Sequence, residues 1–270
     1  MRAMNGFRLY WRYVAASVRG QMQYPGSFLM LLISQAFAAS AEFVAIWALF
    51  RHFGQIRGWT FGEVAVFYAV INMSFSIAET TARGFDIFGP QFVKTGNFDR
   101  ILLRPRSTPL QILGNEFRLT RLDRLLQAVV VMAIAVHLLR LDLNLGAVAL
   151  LLAAIFGGAA LFLGILIMQA TLSFWTIESL EVTNTLTYGG VEAAQYPLDI
   201  YARWFRDFLI FVVPLACVSY FPVARLVGHS DPLGTPAWFG KVSPLLGFVF
   251  LALSLRLWRF GVSHYTSTGS

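Results

Sequence analysis

Charged residues are scarce in this 270-residue chain: Asp, Glu, Lys and Arg make up 13% of it, while hydrophobic residues make up 57%. Ordinary soluble domains carry about 25% charged residues, so this composition excludes a soluble globular protein. The single cysteine, Cys217, excludes a disulfide framework or a cysteine-rich metal cluster within one chain. The four histidines show no spacing typical of metal ligands.

Nucleotide-binding and catalytic motifs are also lacking. Lys94 and Thr95 imitate the end of a P-loop, but Phe88 and Val93 stand where its two glycines belong. Without those glycines the backbone N–H groups cannot cradle a phosphate. No paired-carboxylate site or nucleophile elbow is recognisable. We therefore predict that the chain is not itself an enzyme, and we assign it no catalytic, cofactor-binding or metal residues.

Long apolar runs are what the sequence does have. Most are long enough to cross a hydrocarbon core about 30 Å thick at 1.5 Å per helical residue, whereas a barrel would show short alternating strands. The pattern predicts an all-α polytopic membrane protein, a single transmembrane domain over residues 1–270. Its six transmembrane helices are predicted at 28–50, 63–82, 125–139, 146–175, 208–226 and 244–260.

Two further helices are predicted outside these spans. Residues 6–24 place aromatic and apolar side chains at helical spacing with arginines between them, which is typical of an amphipathic interfacial helix. The longest polar stretch, 83–124, carries eight basic residues. Within it Thr108, Pro109 and Gln111 suit N-cap, N1 and N3 positions, which predicts a short helix ending near Phe117.

Local signals refine the spans. Thr60 and Glu63 have the spacing of a capping box. Small residues at 153/157 and 154/158 predict close approach by a neighbouring helix. Gly189, Gly190 and Pro197 argue against one uninterrupted helix over 178–207, and Pro214 predicts a kink in the fifth span.

The positions of basic residues predict orientation. With both termini cytoplasmic, sixteen of the 21 Lys and Arg residues face inward: four before the first span, eight in 83–124, two in 178–207 and two near the C terminus. The positive-inside rule therefore predicts a multi-pass protein of the cytoplasmic membrane with cytoplasmic N and C termini. Orientation also explains the basic excess better than a nucleic-acid partner does.

Two segments carry a family resemblance. The stretch Gly96–Pro105, read as GNFDRILLRP, and Tyr196–Tyr201, read as YPLDIY and leading into Pro214, resemble one branch of the ABC-2 type permeases. With the six-span layout, the resemblance covers about residues 5–262. It implies the membrane subunit of an ATP-binding-cassette exporter, which pairs with an identical or homologous second permease among membrane lipids. Two cytoplasmic ATPase subunits would hold ATP and Mg.

The resemblance also implies which segments couple to the ATPase. It makes 6–24 a connecting helix, 107–117 a coupling helix and 228–243 short extracellular helices. A helix in a basic loop between two spans can also pass a push to both on physical grounds alone. The predicted coupling residues are Arg104, Arg106, Leu110, Leu113, Phe117, Tyr196 and Asp199. Two alternatives stay open: the arginines could reflect topology alone, and the apolar residues could pack on the transmembrane bundle.

Four polar residues inside the spans are candidates for a substrate path: Glu42, Asn72, His137 and Gln169. Glu42 is the most informative, because an ionisable group within a span usually faces protein or water. The other three could instead hydrogen-bond between helices. Apolar and aromatic spans suit an amphipathic or lipid-like cargo, although lipid-facing helices need the same residues. The alternative functions are a stand-alone carrier or channel and a membrane-embedded lipid-modifying enzyme.

Overall fold

The computed structural model describes residues 6–176, 180–229, 234–236 and 238–267. This part of the chain is helical apart from turns, loops and one isolated bridge between Ile56 and Trp59. The predicted all-α polytopic fold is confirmed. The helices are α1 Gly6–Gln21, α2 Pro25–Phe53, α3 Phe61–Asp86, α4 Asn97–Leu102, α5 Thr108–Leu113, α6 Leu122–Leu139, α7 Leu145–Leu172, α8 Leu180–Ala194, α9 Arg203–Asp207, α10 Leu215–Val218, α11 Tyr220–Val227, α12 Phe239–Val242 and α13 Leu245–Ser263.

Five stretches among the described residues are long and apolar enough to cross a membrane. They contain α2, α3, α6, α7 and α13, so five of the six predicted spans correspond to continuous helices. The predicted capping box at the start of α3 is confirmed: the Glu63 backbone N–H donates to Thr60 Oγ1 at 3.4 Å, and Thr60 N–H donates to Glu63 Oε2 at 2.8 Å.

The core of the bundle is α3, which lies against α6 and α7, while α13 packs on the far side of α7. Glycines set these distances. A Cβ atom on Gly247 would lie 1.9 Å from the Gly157 carbonyl oxygen, and one on Gly158 would lie 2.4 Å from Ser74 Oγ. The close approach predicted from the small residues of α7 is therefore confirmed. By contrast, α2 lies at the periphery and exposes most of its apolar side chains.

The predicted fifth span, 208–226, is not one continuous helix. The chain forms two segments, Arg203–Val212 and Leu215–Val227, bent by 73° relative to each other. The predicted kink at Pro214 is present, but Val213 adopts an extended conformation (φ −119°, ψ 93°) that ends the first segment. The expected interruption within 178–207 is present, but it follows Ala194, near Pro197, and not Gly189 and Gly190. Helix α8 continues through both, and Gly190 leaves room for the side chain of Leu215.

The predicted short helix of the basic stretch is α5, which is shorter than 107–117. Ser107, and not Thr108, occupies the N-cap position, and its side chain makes no capping hydrogen bond. The Thr108 hydroxyl instead accepts a 3.0 Å hydrogen bond from the Trp258 indole N–H. The Gln111 amide donates to the carbonyls of Ile101 and Arg106 at 3.2 Å. Tertiary partners thus replace the expected cap.

The bundle has two distinguishable ends. Gly84 of α3 packs against α5 at one end, and Gly62 packs against Leu139 of α6 at the other. We call the first the basic end, because it carries α1, α4, α5 and the basic loop 87–121. We call the second the opposite end; it carries the connections 54–60 and 140–144.

Candidate functional site

At the basic end, α5 sits directly on a membrane-spanning helix. Ile112 of α5 is fully buried, and a Cβ atom on Gly84 would lie 2.1 Å from its carbonyl oxygen. Only glycine permits this approach. Because Trp258 also donates to Thr108, α5 is held by both α3 and α13. A displacement of α5 therefore displaces both helices or breaks these contacts.

An aromatic cluster fixes α4 beside α5. Phe98 of α4 lies 5.1 Å from Phe88, measured between ring centroids, and Trp258 lies 5.0 Å from Phe88 and 5.2 Å from Phe174. Offset and edge-to-face rings at such distances pack favourably beyond the area they bury. The cluster therefore joins α4 to residues at the basic ends of α3, α7 and α13.

Helix α1 is fastened to the basic loop by two side chains. The Ser17 hydroxyl donates to the Phe117 carbonyl at 2.8 Å and accepts from the Phe117 N–H at 3.1 Å. The Gln21 amide also donates to the Phe117 carbonyl, while its oxygen accepts from the Leu119 N–H at 3.1 Å. We call this set of bonds the α1 clamp. It satisfies backbone groups of Phe117 and Leu119, which precede α6.

A buried ionic network lies one level deeper in α3. Glu79 is 2% exposed, and its Oε1 lies 3.0 Å from Arg121 Nη2 and 3.4 Å from Arg83 Nη1. The Tyr188 hydroxyl of α8 donates to the same oxygen at 3.2 Å. Arg83 also pairs with Asp86, whose other oxygen accepts from Gln169 of α7 at 3.4 Å. The network thus links the end of the basic loop to α3, α7 and α8.

The predicted coupling residues of the basic stretch are gathered at this end. Arg104 is exposed, and its guanidinium donates to the Tyr13 hydroxyl at 3.5 Å. Leu113 packs against the buried core, which agrees with the alternative that the apolar residues face the bundle. Arg106, Leu110 and Phe117 are each half-buried.

Sequence reasoning missed two exposed leucines at this end. Leu103 is 86% exposed and Leu102 is 41% exposed, beside the exposed side chains of Arg100 and Arg104. We call these four residues the docking patch. Helical spacing carried part of the signal: Phe98 and Ile101 face inward on α4, so Arg100 between them turns outward, while Leu103 follows the last residue of α4.

The remaining predicted coupling residues, Tyr196 and Asp199, lie elsewhere. The Trp59 indole N–H donates to Asp199 Oδ2 at 3.1 Å, and the Arg57 guanidinium donates to the Asp199 carbonyl at 2.9 Å. Trp59 precedes α3, so Asp199 lies at the opposite end, about 35 Å along α3 from Gly84. The second predicted contact with the ATPase, around Tyr196 and Asp199, therefore lies away from Arg104. The sequence could not show that α8 and the turn after it carry the chain along α3.

Trp59 also contacts the end of the bent segment. Its ring stacks on His229 with 3.8 Å between centroids, and the Tyr220 hydroxyl donates to Asp199 Oδ1 at 3.1 Å. Residues 199 and 229 thus lie at the same level of the bundle. The chain between them enters the bundle, where Val218 approaches Gly158, and returns to the end from which it started.

The four substrate-path candidates do not form one path. Glu42 lines a small pocket of about 210 Å³ with Arg121, Asp123 and Arg124, and its Oε1 is buried without a hydrogen-bond partner among the described residues. Gln169 belongs to the ionic network. The Asn72 amide donates within its own helix, to the Tyr68 carbonyl at 2.9 Å. His137 is exposed near the opposite end of α6. Of the four, Glu42 is the one placed at a described pocket.

The comparisons with known proteins agree with the sequence resemblance. A family model described as "ABC-2 family transporter protein" matches residues 36–269, a range that includes most of α2 and every later helix. Searches of curated proteins and of solved structures give no match. Members of the matched family are transport membrane subunits and not enzymes themselves. The chain therefore belongs to the ABC-2 transporter family, and it is an integral membrane protein of that family.

Proposed function

We propose that this chain is the permease subunit of an ATP-driven exporter, and that separate ATPase subunits dock on its basic end. The docking patch carries the proposal, because it presents two exposed leucines between two arginines. Such a surface suits a partner with an apolar groove rimmed by acidic residues. Two ATPase subunits, which would hold ATP and Mg, and a second permease, identical or homologous, complete the proposed assembly.

The contacts beneath the docking patch supply a route for force. A push on α4 and α5 reaches α3 through Ile112 and Gly84, where no space is left for relaxation. The same push reaches α13 through Thr108 and Trp258. The α1 clamp adds α1, which leads directly into α2. Packed interfaces of this kind move as units rather than deform continuously.

We place the protein in the cytoplasmic membrane, with its basic end on the cytoplasmic side. Because 199 and 229 lie at one level, we treat α8 as the fifth crossing and 203–227 as a re-entrant hairpin. Arg203 and Arg206 then move outside, which leaves fourteen of the 21 Lys and Arg residues inside. The positive-inside rule still favours cytoplasmic N and C termini, and six crossings return the chain to its starting side.

For the cargo we propose an amphipathic molecule that passes beside Glu42, between this permease and its partner. The unpartnered carboxylate oxygen of Glu42 supports a polar point on that route, because a buried acceptor without a partner is costly. Glu42→Gln should change the export rate and leave assembly intact. An unchanged export rate would remove Glu42 from the route.

The docking proposal is tested by purifying the tagged protein from its native host in mild detergent. Mass spectrometry identifies the companions, and an ATPase assay compares Leu103→Asp with Leu143→Asp. Leu143 is also an exposed leucine, at 45%, but it lies at the opposite end. We expect a stoichiometric P-loop ATPase whose stimulation is lost only in Leu103→Asp, because that charge enters the docking surface without disturbing the core.

Two results would contradict the proposal. Normal ATPase stimulation with Leu103→Asp would show that the docking patch is not the contact. A lone chain without ATPase, even when crosslinked before extraction, would favour a stand-alone carrier or a membrane-embedded lipid-modifying enzyme.

A further inference from the structure

A second surface feature lies at the opposite end, away from the docking patch. A groove of about 840 Å³ runs between the turn that joins α6 to α7, the first turns of α7 and the pair α11 and α12. Its lining residues are Leu141, Asp142, Asn144, Gly146, Ala147, Ala149, Leu150, Ala153, Arg225, Leu226 and Lys241.

Two cations share the rim of this groove. A Cβ atom on Gly240 would lie 3.2 Å from Arg225 Cβ and 3.3 Å from its Cδ, so the glycine lets the arginine stem lie across α12, next to Lys241. Both side chains are exposed. Among the described residues neither makes an ion pair, and Asp142 is the one described acidic residue that lines the groove. The described residues of the rim therefore carry an excess of positive charge.

The other wall is apolar. Small side chains, Ala147, Ala149 and Ala153, leave a shallow track beside Leu150 along the first turns of α7. Helix α7 has 28 residues, about 42 Å of length, which exceeds the hydrocarbon thickness of about 30 Å. Its first turns therefore lie near a membrane–water interface, with the apolar track leading from the cations toward the hydrocarbon.

We propose that this groove binds an anionic amphiphile, with a phosphate headgroup between Arg225 and Lys241 and an acyl chain along the alanines of α7. Cations and phosphate oxygens form the stronger, charge-assisted class of hydrogen bonds, and basic pockets between membrane helices bind anionic headgroups. The inference requires only that the chain lie in a membrane. It does not depend on the proposed ATPase or on the direction of transport.

The charge requirement is tested on the full-length protein in mild detergent. Native mass spectrometry compares binding of phosphatidylglycerol with that of phosphatidylcholine carrying the same acyl chains. We expect phosphatidylglycerol to bind more tightly than phosphatidylcholine. In the double variant Arg225→Gln/Lys241→Gln the affinity for phosphatidylglycerol should fall about thirtyfold, because the attractions of two basic residues to the anionic headgroup are lost together. The control Arg51→Gln/Arg203→Gln removes two cations elsewhere and should bind as the wild type does.

The apolar requirement has its own arm. Ala149→Trp fills the track and leaves both cations in place, so it should weaken phosphatidylglycerol binding as well. Glycerol phosphate, which has the headgroup chemistry without a tail, should not displace the lipid at equal concentration. Equal binding of the two lipids, equal effects of the two double variants, or displacement by glycerol phosphate would each overturn the proposal.

Discussion

At the scale of single residues, Glu79 shows how the bundle tolerates charge. Its carboxylate lies within 3.4 Å of two arginines and accepts a bond from Tyr188. The i, i+4 spacing along α3 explains only the Arg83 contact. Arg121 lies 42 positions further along the chain, and no local pattern places it there. A buried charge stays ionised at low cost only when such partners are present.

Glu79→Gln tests the network. The substitution leaves the partly buried guanidinium groups of Arg83 and Arg121 without this counter-charge, and breaking a buried ion pair costs up to about 3–5 kcal/mol. We therefore expect a clear loss of stability, measured by unfolding in detergent with increasing denaturant. Glu116→Gln is the control, because it removes the partner of the half-exposed Arg118 and should cost less than about 1 kcal/mol. Equal losses in the two variants would contradict a special role for the network.

At the scale of elements, the seat of α5 on α3 depends on one glycine. Gly84→Ala places a methyl group against the Ile112 carbonyl, 2.1 Å away before relaxation. Overpacking of this kind costs about 1–3 kcal/mol, and α5 must lift from α3. We expect lower stability and, if α5 transmits force, weaker coupling of ATP hydrolysis to export.

The same substitution at Gly20 provides a matched control. Gly20 lies in α1, and a methyl group added there would have no other atom within 4 Å, so Gly20→Ala should be neutral or stabilise by up to about 1 kcal/mol. Thermal unfolding of both variants in detergent checks the pair. Similar behaviour of the two alanines would show that the close contact at Gly84 carries no strain.

The α1 clamp makes a separate prediction. Ser17→Ala with Gln21→Ala removes the side chains that satisfy the Phe117 and Leu119 backbone groups. Hydrogen exchange at the Phe117 and Leu119 amides should become faster, because these two amides lose their hydrogen-bond partners. Gln23→Ala, at an exposed position beyond α1, should leave the exchange unchanged. Unaltered protection in the double variant would mean that α1 is only an anchor.

The elements also show what sequence can and cannot predict here. Spans of α2, α3, α6, α7 and α13, the capping box at Thr60 and the close glycines of α7 follow from local patterns, because length, hydropathy and side-chain size act over neighbouring residues. The failures lie where a distant partner decides. Leu215 packs against Gly190 of α8, and Trp59 contacts both Asp199 and His229, which therefore lie at one level.

At the scale of the whole molecule, these long-range contacts change the proposed membrane topology, but the N and C termini stay on the same side. The residue pattern places 178–207 with the basic loop and makes 208–226 the fifth span. The structure instead separates Asp199 from Gly84 by most of the length of α3. Both arrangements leave the termini on the same side, so fusions at the N or C terminus cannot distinguish them. The side of the membrane on which residues 195–210 lie does distinguish them.

Single-cysteine labelling decides between the two topologies. With Cys217 replaced by alanine, the chain carries no other cysteine, and one is introduced at exposed Arg203 or at exposed Arg104. We expect a membrane-impermeant maleimide, applied to spheroplasts, to label Arg203→Cys at once and Arg104→Cys only after permeabilisation. Labelling of both positions only after permeabilisation would return 178–207 to the cytoplasm. That result would also require the contact between Asp199 and Trp59 to be absent in the membrane, because Trp59 precedes α3 at the end that faces away from Arg104.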